Sequence, residues 1–261
     1  MRESFSTVVF VEQLRDLLSS LPPECDPSMI SSNRLGKLKG DIEECVQRLG
    51  TLVRQIDPIQ QPPTVFDPAD PRVIGELIGR TLLEQPRLAL ESVPRFYGSG
   101  VYAIYYKGDF SGYSPIAGTD HPIYIGKADP AVPEAQTVEQ QGDRLARRLS
   151  EHAKSVKNVK NLDIADFECR YLVVKSAWQR TSEDYLINRF KPIWNNEIGI
   201  CYGFGKHGDS FSTRKNTRSP WDTLHPGRQW AWAAGNVNNP KSPKEILREI
   251  ALHFEKNPPL A

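Results

Sequence analysis

The 261-residue sequence predicts an α/β fold, a small mixed and mainly antiparallel β-sheet flanked by helices, preceded by an N-terminal α-helical hairpin region. Three observations carry this. Short apolar, β-branched and aromatic runs stand at 101–106, 122–127 and 167–174. Helical patterns with three-and-four spacing separate or follow them. A seven-residue apolar period near the start is cut off from the rest by prolines.

In chain order, Phe10, Leu14, Leu17 and Leu21 mark a first helix that Pro22-Pro23 stops. Leu35, Leu38, Ile42, Cys45, Leu49, Leu52 and Ile56 then alternate by three and four, the pattern of a coiled-coil seam, with Ser31 and Ser32 as possible caps. Gly36 and Gly40 weaken its first turns by about 1 kcal/mol each relative to alanine. The two helices can close on each other within one chain or pair between chains; the pattern leaves both open. The five prolines of 57–71 imply a stiff extended linker, and a helix follows through RVIGELIGRTLLEQ.

The strand runs come next. Between the second and third lies GDRLARRLSEHAKSV, a helix with Leu145 and Leu149 on its buried side. After the third, Thr181 or Ser182 is expected to cap a helix that Pro192 ends, and Ser242, Pro243 and Glu245 open the last helix with a capping box. Three regions result: 1–56 a helical hairpin or oligomerisation region, 57–95 a proline-rich linker and helix, and 96–261 the α/β module.

Composition limits the function classes. With 39% hydrophobic and 25% charged residues the chain is an ordinary globular protein. No run reaches membrane-span length, and the N-terminus has no cleavage-site pattern, so a cytoplasmic protein is expected. The four cysteines show no CxxC, and reduced thiols are expected. Net charge is +1, yet residues 201–230 hold five basic and two acidic residues, a local hint of an anionic partner.

The chemistry concentrates in one set of residues. Tyrosines decorate both strands of GVYAIYY and PIYIGKA, where valine or leucine would fill a core without polar cost. Arg144, Arg148 and His152 are spaced by four and form one polar stripe on their helix. Singly, the stripe reads as a solvated face, Glu183 as a helix-dipole partner and Asn195 as a turn residue. Together, GVY at 100–102, YIG at 124–126, Arg148, His152, Glu183 and Asn195 resemble the GIY-YIG nuclease family in order and type. The resemblance covers roughly 96–200 as a catalytic module. RVIGELIGRTLLEQP, PIYIGKA and the 201–231 segment CYGFGKHG…SPWDTLHPGRQWA look like the type II restriction enzymes of that family which read CCGCGG. Valine in place of the middle isoleucine keeps a β-branched strand residue. The loop between the two tyrosines is longer than in the smallest family members.

The resemblance implies a Mg²⁺-dependent, site-specific DNA endonuclease. Glu183 is its one acidic position, so it implies one Mg²⁺ per active site, with waters filling the octahedron. Arg148 holds a non-bridging phosphate oxygen, Tyr102 orients or deprotonates the attacking water, Tyr124 completes the hydrogen-bond array and Asn195 positions the phosphate. A free phenol near pKa 10 is a poor base, and His152 relays the proton or is itself the base. Lys127 and Arg144 add positive potential. Double-stranded DNA is the expected partner, with Arg214, Lys215, Arg218 and Arg228, beside His207 and His225, as readers of bases or phosphates. A palindromic site implies a homodimer, and pairing through the heptads would give a homotetramer. Two other readings are a GIY-YIG repair or homing nuclease and a DNA-binding module without activity. The first lacks the further DNA modules such enzymes carry, and the second has no use for a glutamate facing phosphate.

Overall fold

The computed structural model describes residues 7–21, 30–59, 62, 64–175, 177–205, 217–232 and 238–259. It divides into two compact units, residues 1–65 and 66–261. The first holds α1 (Thr7–Ser19) and α2 (Ser32–Ile56). Ser31 is the N-cap residue of α2 but makes no side-chain cap bond. No residue of α2 is buried, and Leu38, Ile42 and Ile56 of the heptad row are 41%, 62% and 53% exposed. Pro22-Pro23 lies outside the described residues.

The second unit begins with α3 (Pro71–Leu83), which has Pro71 in its first turn and Asp70 as N-cap, accepting from the Arg72 amide at 2.8 Å. β1 (Leu88–Ala89), β2 (Gly100–Tyr106) and β3 (Tyr124–Ala128) follow, then α4 (Val138–Gln141) and α5 (Arg144–Lys157). β4 (Phe167–Val173), α6 (Gln179–Phe190), α7 (Pro220–Leu224) and α8 (Pro243–Lys256) complete it. The four strands form one antiparallel sheet in the order β1-β4-β2-β3. The fold is therefore the small antiparallel sheet flanked by helices that the strand runs imply.

β2 is central, and all seven of its residues are buried. Its period of two sorts them onto two cores. Tyr102, Ile104 and Tyr106 face α5, packing with Leu145, Leu149 and Val156, together with Trp194, Phe204 and Trp221. Val101, Ala103 and Tyr105 face the other way, onto Leu82 of α3 and Leu186, Ile187 and Phe190 of α6. The helix expected beside the linker thus packs on the sheet's second face. A tyrosine costs little in either core only where its hydroxyl is bonded. The Tyr106 hydroxyl accepts from the Phe110 amide at 2.8 Å, and that of Tyr105 accepts from Arg170 Nη1 at 3.3 Å.

Two helix starts differ in their agreement with the sequence signals. The capping box of α8 forms, with the Ser242 hydroxyl and the Glu245 carboxylate each taking the other's backbone amide. α6 instead starts at Gln179, with Trp178 as its N-cap residue and no side-chain cap. Ser182 is already inside that helix, and its hydroxyl donates back to the Trp178 carbonyl at 2.7 Å. Inside a helix a serine can make this bond to the carbonyl four residues back, so the residue type alone did not fix the start.

Candidate active site

The two tyrosine motifs are steric complements. In the β2–β3 register Tyr102 lies opposite Gly126. A Cβ on Gly126 would stand 2.4 Å from the Tyr102 hydroxyl and 2.5 Å from its Cζ. The glycine of YIG is thus the space that the phenol of GVY fills. There the Tyr102 hydroxyl lies 2.6 Å from His152 Nε2 of α5. Both side chains are fully buried. The Tyr124 ring packs edge-on to His152 at 5.1 Å and tilted to Tyr102 at 6.1 Å.

Sequence reasoning missed Phe204. Its ring stacks on the imidazole, with centroids 4.5 Å apart and planes at 16°. The next residue, Gly205, gives its carbonyl to Arg148 Nη2 at 3.3 Å. Phe204 stands between two glycines in CYGFG, a pattern of close approach whose target only the fold reveals.

A cavity of about 520 Å³ opens at the β3 edge, lined by Tyr124, Lys127 and Asp129, by Arg144, Arg147, Arg148 and Glu151 of α5, and by Glu183 of α6. α5 covers one sheet face and α6 the other, so the cavity wraps the edge strand and both helices reach it. The structure thus gathers Tyr124, Lys127, Arg144, Arg148 and Glu183 on one concavity, with the Tyr102–His152 pair directly behind Tyr124 and Arg148. Burial pushes the Glu183 carboxyl up to about 7, opposed by the nearby Lys127 ammonium. Burial raises the Tyr102 hydroxyl well above 10, and Tyr124 adds to this while the Arg148 guanidinium opposes it. Tyr102 is therefore a hydrogen-bonding group and not a standing phenolate.

The donor set suits one hard divalent cation. Glu183 is half-buried, raised in pKa and aimed into a polar cavity, and among the described residues no group of three or more His, Cys, Asp or Glu is arranged to hold a metal. Of the three carboxylates lining the cavity, Asp129 is paired with Lys127 and Glu151 with Arg147 and Arg148. Glu183 would therefore hold the ion with water in most positions, a set that fits Mg²⁺ and not a closed zinc cage.

Three further expectations are corrected. Asn195 is buried, and its amide is spent on one residue: Oδ1 accepts from the Ile125 amide at 2.9 Å and Nδ2 donates to the Ile125 carbonyl at 2.8 Å. It holds the edge strand that carries Tyr124, and its burial and its orientation toward Ile125 keep it from a phosphate in the cavity. His225 is 0% exposed, with Nε2 2.5 Å from the Tyr113 hydroxyl and Nδ1 3.0 Å from Asn161 Oδ1, so it is a core residue. Arg228 is 2% exposed and ion-paired with buried Asp222, so it does not read DNA. Arg218 is half-buried; it donates to the Ala231 carbonyl and Asn238 and lies 3.4 Å over the Trp232 ring. His207, Arg214 and Lys215 lie outside the described residues.

No helix among the described residues is long and apolar enough to cross a membrane. No curated protein matches the chain. A family model described as the Eco29kI GIY-YIG domain matches residues 94–254, more than half of the sequence and all of the site just described. The paired tyrosine strands, the Arg148–His152 helix and the Glu183 helix all fall inside that match, and the chain belongs to the Eco29kI GIY-YIG family of restriction endonucleases.

Proposed function

We propose that this protein is a type II restriction endonuclease that makes a double-strand cut at a palindromic GC-rich site, CCGCGG, with one Mg²⁺ held by Glu183 in each active site. The observation that carries the reading is the shared cavity: Arg148, Tyr124 and the Glu183 carboxyl, raised by burial, all line it, with Tyr102–His152 bonded at 2.6 Å behind Tyr124. The cation, when bound, supplies positive charge to the scissile phosphate and activates a water.

The chain's own groups do the rest. Arg148 holds a non-bridging oxygen and stabilises the charge that builds up in the pentacoordinate transition state. Nε2 of neutral His152 accepts the Tyr102 hydrogen bond, so the phenol passes its proton to the imidazole as its oxygen takes one from the attacking water. That relay needs no ionised phenol at rest, in keeping with its raised pKa. Tyr124, at the cavity wall, donates to the phosphate. Lys127 and Arg144 add the positive field that draws a polyanion into the cleft.

A palindrome is met most simply by a twofold-symmetric assembly in which each subunit cuts one strand. The protein therefore acts as a homodimer, with the exposed heptad row of α2 as the device for a tetramer.

Incubating the protein with plasmid DNA and Mg²⁺ and mapping the ends tests the whole reading. Discrete fragments ending at CCGCGG support it. Nicking only at damaged bases, or binding without any cleavage, overturns it.

A further inference from the structure

Among the described residues a buried ion pair, Arg228 with Asp222, lies outside the site already described. The Arg228 guanidinium donates from Nε and Nη2 to the two Asp222 carboxylate oxygens at 2.7 and 2.8 Å. Nη1 and Nη2 also donate to the carbonyls of Phe204 and Gly203 at 3.0 and 2.9 Å. The rings of Trp221 and Trp230 lie 4.3 and 4.6 Å from its Cζ. The Ser219 hydroxyl, which caps α7, donates to Asp222 at 2.6 Å.

Burying such a pair is a poor route to stability, because desolvation cancels most of the Coulomb gain and apolar residues of equal volume do as well. What the fork geometry supplies is position: a planar group binds two carbonyls and a carboxylate in one fixed plane. The two carbonyls belong to the residues that reach the candidate active site. Gly203 has φ of +110°, and a Cβ there would meet the Ser219 hydroxyl at 2.3 Å, so this segment runs hard against the start of α7. Beyond it Phe204 covers the His152 ring and Gly205 takes a hydrogen bond from Arg148.

We infer that Arg228 is a positioning residue for the reaction: through the Gly203 and Phe204 carbonyls it sets the ring that fixes the His152 imidazole plane and the carbonyl that aims Arg148. This rests on the nuclease reading for its rate effect, and its geometric half is measurable without cleavage. Arg228→Lys keeps the charge and removes the fork. Phe204→Leu keeps the carbonyls and removes the stacked ring.

The test is made on the full chain. The imidazole resonances of His152, assigned by their loss in His152→Gln, are recorded alongside single-turnover cleavage and DNA affinity without divalent cation. Arg228→Lys and Phe204→Leu are each expected to move the His152 resonances and slow cleavage by about a hundredfold, the scale of a misplaced group near the chemistry. DNA affinity stays within about twofold, and the double variant is no slower than the slower single, because both act through one contact. Should Arg228→Lys not fold, Ser219→Ala, which takes from Asp222 the hydrogen bond to its carboxylate and the cap bond to its amide but leaves the ion pair, must move the same resonances by a smaller amount. Unmoved His152 resonances in the folded variants, or rate losses that multiply in the double variant, overturn the inference. A parental protein that does not cut DNA overturns the nuclease reading instead, and leaves the resonance measurement to judge Arg228.

Discussion

Glu183→Gln in metal-free protein should be a stabilising change whose size depends on pH. The folded carboxyl is raised from 4.5 to about 7, chiefly by burial. A carboxyl with a folded pKa above its unfolded value contributes stability that is fully present below about 4.5 and is lost as pH rises through about 7. The gap corresponds to about 3 kcal/mol of penalty on the charged form. Glutamine has the same shape and no charge at any pH. At pH 8 the variant should therefore be more stable by about 3 kcal/mol, and at pH 5 by only about 1 kcal/mol. Urea unfolding in the presence of a chelator reads this directly, as a midpoint shift of about 1 M or more at pH 8. Adding Mg²⁺ should narrow the difference, since only the carboxylate gains from the ion. A variant that is no more stable at pH 8, or equally displaced at both pH values, would refute the argument and mean that the carboxyl is solvated.

Other outcomes follow from the same geometry. Asn195→Leu should cost about 2–5 kcal/mol, because it strands a buried amide and a carbonyl of Ile125; full stability with weakened DNA binding would restore the phosphate role. Tyr102→Phe should cut the single-turnover rate by about a hundredfold at unchanged DNA affinity, and a near-parental rate would leave His152 as sole base. Acid should destabilise the protein. Burial pushes His121 and His225 down to about 4 and about 3, so each contributes stability present above 6.5 that is lost as pH falls. Between pH 7 and 5 they lose about 2 kcal/mol each, Glu183 regains about 2, and the net loss is about 2; a flat urea midpoint over that range contradicts it. Removing residues 1–65 should halve the subunit count by light scattering if α2 joins dimers, and an unchanged count would end that proposal.

What the sequence made legible was whatever a local rule controls. The short apolar run of β2, the leucine face of α5 and the Ser242–Glu245 box depend on neighbours a few residues away, and all three appear where expected. The order of Tyr102, Tyr124, Arg148, His152 and Glu183 was readable through resemblance, and the fold places these residues in or directly behind one cavity along the edge strand β3. Long-range partners were not readable. Nothing near Asn195 says that its amide meets Ile125, 70 residues earlier. Nothing near Arg228 says that its donors reach carbonyls 24 and 25 residues back. A basic residue in a glycine-rich, aromatic stretch suggests DNA, whereas burial between two tryptophans decides otherwise. The missed cap of α6 is the same lesson at short range, since a serine hydroxyl can also donate to a helix carbonyl, as Ser182 does to Trp178.

The Asn195 side chain has a consequence outside catalysis. β3 ends the sheet, and a bare end strand offers its free amides and carbonyls to any passing chain. At Ile125 both are already taken, by an amide that imitates one residue of a neighbouring strand. The asparagine thus acts as a stopper against self-pairing, on the strand that must stay near the surface for its tyrosine to line the cavity. A nuclease of this design cannot bury its working edge under another strand, so it closes that edge with a single side chain. Its loss should show first as sheet-to-sheet aggregation during refolding, before any change in how the enzyme handles DNA.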